Sequence, residues 1–249
     1  MIFAYAIVFF AALMLTMIGL GGGLIFSPAF LLLGMPQTQA VSASLLLNGL
    51  AALSAAFVYM RNGLVDIPVS VPLIGGSVLA APMGALLTHH LPTHLFLTVM
   101  SGILFLAALR MLFVAKVTPH QEKVSSLRKA FLGALIGIVI GFLAGLLGIG
   151  GGIFVVPLLI YVLKIDTKIA AASSAFIVCF SSFSGFLAHA SLAAPDWRFI
   201  LTASLLAIAG GQIGSRIMIQ RLQGRAIRIL FGLVLLVLSA NLLHQVIMG

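Results

Sequence analysis

Long apolar runs follow one another along almost the whole chain, parted by short polar connections. They lie at 2–18, 41–60, 67–88, 94–115, 130–147, 169–190, 198–219 and 226–247. A helix needs about 20 apolar residues to cross the hydrocarbon core of a bilayer, so each run predicts a helix at membrane depth. Two of the runs are cut short. The run at 2–18 ends in a glycine tract and resumes as a short apolar segment at 24–34; the run at 130–147 does the same and resumes to 163. Only 116–129 is plainly hydrophilic, holding Lys116, His120, Glu122, Lys123, Arg128 and Lys129. It separates a first repeat at 1–115 from a second at 130–249, which together make one transmembrane domain.

The two cuts are one feature written twice. Gly19-Leu-Gly-Gly-Gly-Leu-Ile-Phe-Ser-Pro28 returns as Gly148-Ile-Gly-Gly-Gly-Ile-Phe-Val-Val-Pro157. Beyond the tracts, one inserted residue sets an offset of 130 that pairs Ser44 with Ser174, Ser54 with Ser184 and Asp66 with Asp196. The same offset pairs Gly84 with Gly214 and Gly102 with Gly232, which marks a duplication. Adjacent glycines lower helix stability by about 1 kcal/mol each relative to alanine. Broken helix at membrane depth is tolerated only where protein buries it or it lines a cavity. Paired breaks in corresponding places are a sequence pointer to a transporter's binding site.

Composition agrees with a membrane solvent. The 249 residues are 62% hydrophobic and 7% charged, with a mean hydropathy of +1.29, whereas a soluble domain carries about 25% charged residues. The net charge of +9 does not imply nucleic acid, because the basic residues sit in short loops, where they orient a membrane protein. A lone Cys179 excludes an intramolecular disulfide and a cysteine metal cluster. The N-terminus lacks the basic region of a signal peptide, so its apolar run is read as structure.

The loop charges also carry the topology. With a cytoplasmic linker and an even number of crossings in each interrupted element, 12 of the 13 Lys and Arg residues fall inside, leaving Arg198 outside. Single crossings would split them 7 to 6. The positive-inside rule prefers the first arrangement. The expected fold is therefore an all-α polytopic membrane protein of two inverted-topology repeats. Each repeat is an interrupted glycine-rich hairpin plus three transmembrane helices, and both termini face outside.

Each glycine break frees backbone N–H groups at the start of a half-helix, where the helix dipole is positive and an anion can approach. Gly21, Gly22, Gly23, Gly150, Gly151 and Gly152 are the candidate contacts. Ser27 and Pro28 suit the N-cap and first position of the first half-helix. Ser44 and Asn48 share a helix face; Ser174, Ser181 and Gly185 form the matching stripe, and Gln212 lies among Gly210, Gly211 and Gly214. Neutral donors of this kind complete an anion's shell without the cost of burying a lysine. Packing alone is the competing account of the glycines, serines and amides. The four acids, Asp66, Glu122, Asp166 and Asp196, all fall in loops or at helix ends, so no carboxylate relay at mid-membrane is expected.

Two Gly-x-Gly-Gly-Gly-x-x-x-x-Pro elements about 130 residues apart, each followed by an Ala/Ser-rich helix, resemble the TauE/SafE family of sulfite exporters and toluene-sulfonate uptake permeases. The likeness covers nearly the whole chain. It implies transport of sulfur-containing or carboxylate anions across the cytoplasmic membrane, and it carries the glycines at 21–23 and 150–152 over as site residues. Ser44, Asn48, Ser174 and Gln212 rest on the helix-face reading instead. The expectation is a non-enzymatic permease for sulfite, thiosulfate, a sulfonate or a sulfoacetate-like anion, working by alternating access without a cofactor or bound metal. Its partners are the small anion and the bilayer, not nucleic acid, with homo-oligomerisation left open. The rivals are an anion channel of the same build, a non-transporting membrane subunit, and an intramembrane hydrolase using Ser184 and His189.

Overall fold

The computed structural model describes residues 2–87, 98, 101–102, 105–106, 108–109, 112–113, 126–147, 151–190 and 197–248. Among them run the helices α1 (Ile2–Met17), α2 (Gly23–Leu32), α3 (Gln37–Arg61), α4 (Ile67–Leu87), α5 (Ser126–Leu147), α6 (Gly152–Tyr161), α7 (Thr167–Ala190), α8 (Trp197–Arg221) and α9 (Gly224–Met248). Five, namely α3, α4, α7, α8 and α9, hold spans long and apolar enough to cross a membrane. Among the described residues the fold is all-α, as expected. Most of the expected helix at 94–115, most of the linker at 116–129, and the loops at 89–93 and 191–196 lie outside the described residues. Residues 126–129, at the end of the expected linker, already belong to α5.

Helix directions follow from which residues meet. Along α3 and α7, Leu45 lies against Gly185, Asn48 bonds Ser182, Gly49 faces Phe183, and Ala52 clusters with Val178 and Cys179. One number rises as the other falls, so α3 and α7 run antiparallel. By contrast α8 runs alongside α3, because Ala51 meets Gly211 and the ends of both helices, Arg61 and Ile219, line one pocket. In the same way α4 follows α7, with Asp66 bonded to Ser173 and Val78 to Ser184.

The outer helices are exchanged between halves. α1 packs along α8, Tyr5 meeting Thr202 and Thr16 meeting Gly214. α5 packs along α4 through Gly133, Gly137, Gly141 and Gly145, spaced by four on one face and seated against residues from Val69 to Ala81. In lipid, apolar side chains gain little by leaving one tail environment for another, so close backbone approach over small residues supplies the packing. Each half therefore lends its first helix to the other.

The interrupted element α1–α2 turns back on itself. Ala4 at the start of α1, Leu33 after α2, Gln39 in the first turn of α3 and Phe199 of α8 line one pocket, and Phe30 meets Phe199 edge to face. At ten residues α2 is about 15 Å long, half a hydrocarbon core. It begins beside Asn48, near the midpoint of α3.

Candidate functional site

A break in a helix leaves N–H and C=O groups without partners, and lipid offers none. Side chains from α3 and α7 supply them. Tyr59 donates its hydroxyl to the Thr16 carbonyl at 2.7 Å, where α1 ends. Ser174 Oγ donates to the Gly19 carbonyl at 2.8 Å, and Ser44 Oγ to the Gly23 carbonyl at 3.1 Å. Asn48 Oδ1 accepts two bonds, from the Gly22 N–H at 2.5 Å and the Gly23 N–H at 2.7 Å. Its Nδ2 donates to Ser182 Oγ on α7 at 2.7 Å. These side chains are all buried, and no charged side chain is buried among the described residues.

Two backbone donors must face an oxygen, so the carboxamide can sit only one way round. Asn48 was expected to donate to an anion. Instead its oxygen occupies the N-terminus of α2, where an anion's oxygen would go, and its donor end is spent on Ser182. This cap from a neighbouring helix also starts α2 at Gly23, so Ser27 and Pro28 lie inside the helix rather than at its N-cap and first position.

The breaks themselves need glycine for two different reasons. Gly21 has φ +77°, and a Cβ there would strike Asn48 Oδ1. Gly22 has no such φ; its face is covered by the Phe26 ring. In the second break Gly151 has φ +76° and caps α6, and its carbonyl accepts from the Phe154 and Val155 N–H groups. Gly152 lies against the backbone of Leu20 and the side chain of Val178. The two breaks thus touch at the centre of the molecule, between α3 and α7. Gly150 lies outside the described residues.

A model of the sulfite exporter TauE/SafE family matches residues 4–242. The chain belongs to that family. It is 26% identical to the probable membrane transporter protein YunE of Bacillus subtilis over 92% of either chain. It is also 23% identical to the probable membrane transporter protein YdhB of the same organism, over 84% of this chain and 87% of that one. A probable membrane transporter protein of Xylella fastidiosa is 33% identical over 43% of this chain and 41% of its own. No solved structure matches the chain. As a TauE/SafE protein the chain is a multi-pass membrane protein of a transporter family, not an enzyme.

Within this family member the expected site residues divide. Gly21, Gly22, Gly23, Ser44, Asn48, Ser174, Gly151 and Gly152 gather at the two breaks. Gln212 does not join them. Its Nε2 donates to the Ser54 carbonyl at 3.1 Å, six residues further along α3 than Asn48, or about 9 Å of helix rise. Ser181, expected on the stripe, bonds the Val178 carbonyl of its own helix. Sequence reasoning missed Ser182, which completes the Asn48 contact; the signal was its place eight residues from Ser174 on the same face. It also missed Tyr59, which is fully buried against Thr16. Ser184, the serine of the hydrolase alternative, donates to the Val78 carbonyl at 2.9 Å, which ties α7 to α4.

Proposed function

We propose that the protein is a secondary transporter of a small sulfur-containing or organic anion, such as sulfite, thiosulfate or a sulfonate, working by alternating access. Its two halves form inverted-topology repeats in the cytoplasmic membrane, with both termini outside. Support for the inversion comes from the opposite directions of α3 and α7, which are equivalent helices of the repeat. The observation that carries the functional reading is the Asn48 oxygen on two N–H groups at the start of α2, packed against the second break.

That oxygen is a tethered stand-in for a ligand. A neutral hydrogen bond contributes about 0.5–1.5 kcal/mol net, and one to a charged group about 1.5–3 kcal/mol. An anion therefore displaces the carboxamide from the same two donors and gains about 1–3 kcal/mol over the pair. Moving Asn48 off Gly22 and Gly23 also disturbs its bond to Ser182 on α7, in the other half. Binding is thereby coupled to the contact between the halves that alternating access must break. With no charged side chain buried among the described residues, the site selects for an anion by dipoles alone.

Purified protein in liposomes, assayed with labelled sulfite, thiosulfate and sulfoacetate, tests this. Saturable uptake with counterflow is expected for at least one of them. Flux that rises linearly without counterflow makes the protein a channel, and no flux of any anion sinks the transport reading.

A further inference from the structure

A second cluster of polar groups lies apart from the breaks, at the end of the seam between α3 and α8. There Arg61, Asn62, Gln212, Arg216 and Gln220 line a pocket of 290 Å³. Arginines at a helix end are ordinarily topology signals that reach for water. These two differ in being held. The Arg61 guanidinium sits 4.6 Å above the Phe57 ring, and Arg216 donates to Gln212 Oε1 at 3.4 Å. Gln212 is in turn fixed by its bond to the Ser54 carbonyl. Among the described residues neither guanidinium is ion-paired with a carboxylate. Asn62 spends its amide donor on the Val58 carbonyl of its own helix. Lys168, whose Nζ donates to the Ile219 carbonyl at 3.4 Å, brings a further positive charge to this end of α8.

From this arrangement we infer that the Arg61–Arg216 pocket is an oxoanion-binding site, separate from the glycine breaks. A guanidinium presents its N–H groups in a planar fork that matches two oxygens of a sulfate or phosphate group. Two forks held in place before the ligand arrives lower the ordering cost of binding it. The ligand is a free oxoanion or the phosphate of an anionic lipid headgroup; both present the same oxygens. The inference does not depend on the transport reading, since it concerns binding to the folded protein.

The test uses sodium sulfate and lipid nanodiscs on the full-length protein. In phosphatidylcholine discs, sulfate is expected to raise the thermal midpoint above that in chloride at equal ionic strength. Its apparent Kd should weaken about tenfold or more in Arg61→Gln and in Arg216→Gln, the loss of one charge-assisted contact. Both side chains are exposed, so both variants should fold, and Arg198→Gln at the other end of α8 should behave as wild type. If the natural occupant is lipid, phosphatidylglycerol discs raise the midpoint of the wild type but not of the two variants, and sulfate then adds nothing. Two results overturn the inference. One is a response to neither sulfate nor phosphatidylglycerol that depends on Arg61 and Arg216. The other is a sulfate response lost in Asn48→Ala but kept in both arginine variants, which would assign it to the centre.

Discussion

Ser54 and Ser184 make the same hydrogen bond in the two halves of the chain. Ser54 Oγ donates to the Ile208 carbonyl at 2.8 Å, and Ser184 Oγ to the Val78 carbonyl at 2.9 Å. Donors and acceptors are both 130 positions apart. At the centre this correspondence stops, because Asn48 has Val178 as its counterpart. A duplicated frame therefore carries one polar cap and one apolar contact, so the two breaks are not chemically equal.

If the two serines are equivalent fasteners, Ser54→Ala and Ser184→Ala should destabilise alike, by about 1 kcal/mol each. The double variant should be additive within about 0.5 kcal/mol, as for separate sites. Thermal unfolding of the four proteins measures this. Ser184→Ala should also keep its transport, which disposes of the hydrolase alternative; abolished flux in a folded Ser184→Ala protein would bring that alternative back.

Asn48→Asp keeps an oxygen on the Gly22 and Gly23 N–H groups and makes it a competing anion. The variant is expected to fold, while binding of the transported anion weakens by about tenfold or more. Asn48→Ala leaves buried donors unmet and should cost about 1–3 kcal/mol of stability. Titration of sulfite or thiosulfate into folded Asn48→Asp decides it: wild-type affinity would take the start of α2 out of the site.

Glycine substitutions separate strain from collision. At Gly34, φ is +84° with open space around the added methyl, so Gly34→Ala should lose about 1–2 kcal/mol and keep transport. Gly21→Ala carries the same strain and also pushes on Asn48 Oδ1, so transport should be lost from protein that still inserts. Gly151→Ala, at φ +76°, meets Ala144 and Ile140 at 2.9 and 3.0 Å and should also lose transport while remaining monodisperse. Equal activity in all three would reduce the breaks to packing.

On the α5 ladder, Gly141→Ala drives a methyl into the Ser77 backbone and should destabilise by about 1–3 kcal/mol, as overpacking does. Gly75→Ala on α4 meets nothing and should be neutral or stabilise by up to about 1 kcal/mol. A thermal-stability comparison in one detergent checks the ordering; the reverse order would mean that α4 and α5 do not pack through this face.

Topology is open to single-cysteine labelling in a Cys179→Ser background. Cysteines at Gly34 and Trp197 should label from the outside together, and one at Gln220 from the cytoplasm. Labelling of Gly34 and Trp197 from opposite faces would break the hairpin drawn by α1 and α2.

Much of this protein is legible in its sequence because the solvent is a bilayer. Hydrophobic length alone marks the helices, and glycine tracts mark where they must stop. The repeat is visible as an offset, and the loop arginines and lysines state a topology. Tertiary structure decided the rest, because each contact depends on residues far apart in the chain. That α1 pairs with α8 and α5 with α4 follows from small residues meeting a partner backbone, which no local pattern names. Asn48 read as a donor to a ligand, since a lone amide on a helix face has both ends free. Only the fold brings the Gly22 and Gly23 N–H groups to its oxygen and Ser182 to its nitrogen, and so makes a candidate ligand contact the cap of α2. Gln212 parted from the breaks for the same reason: its partner is a carbonyl on another helix, and its place is set by how α8 lies along α3.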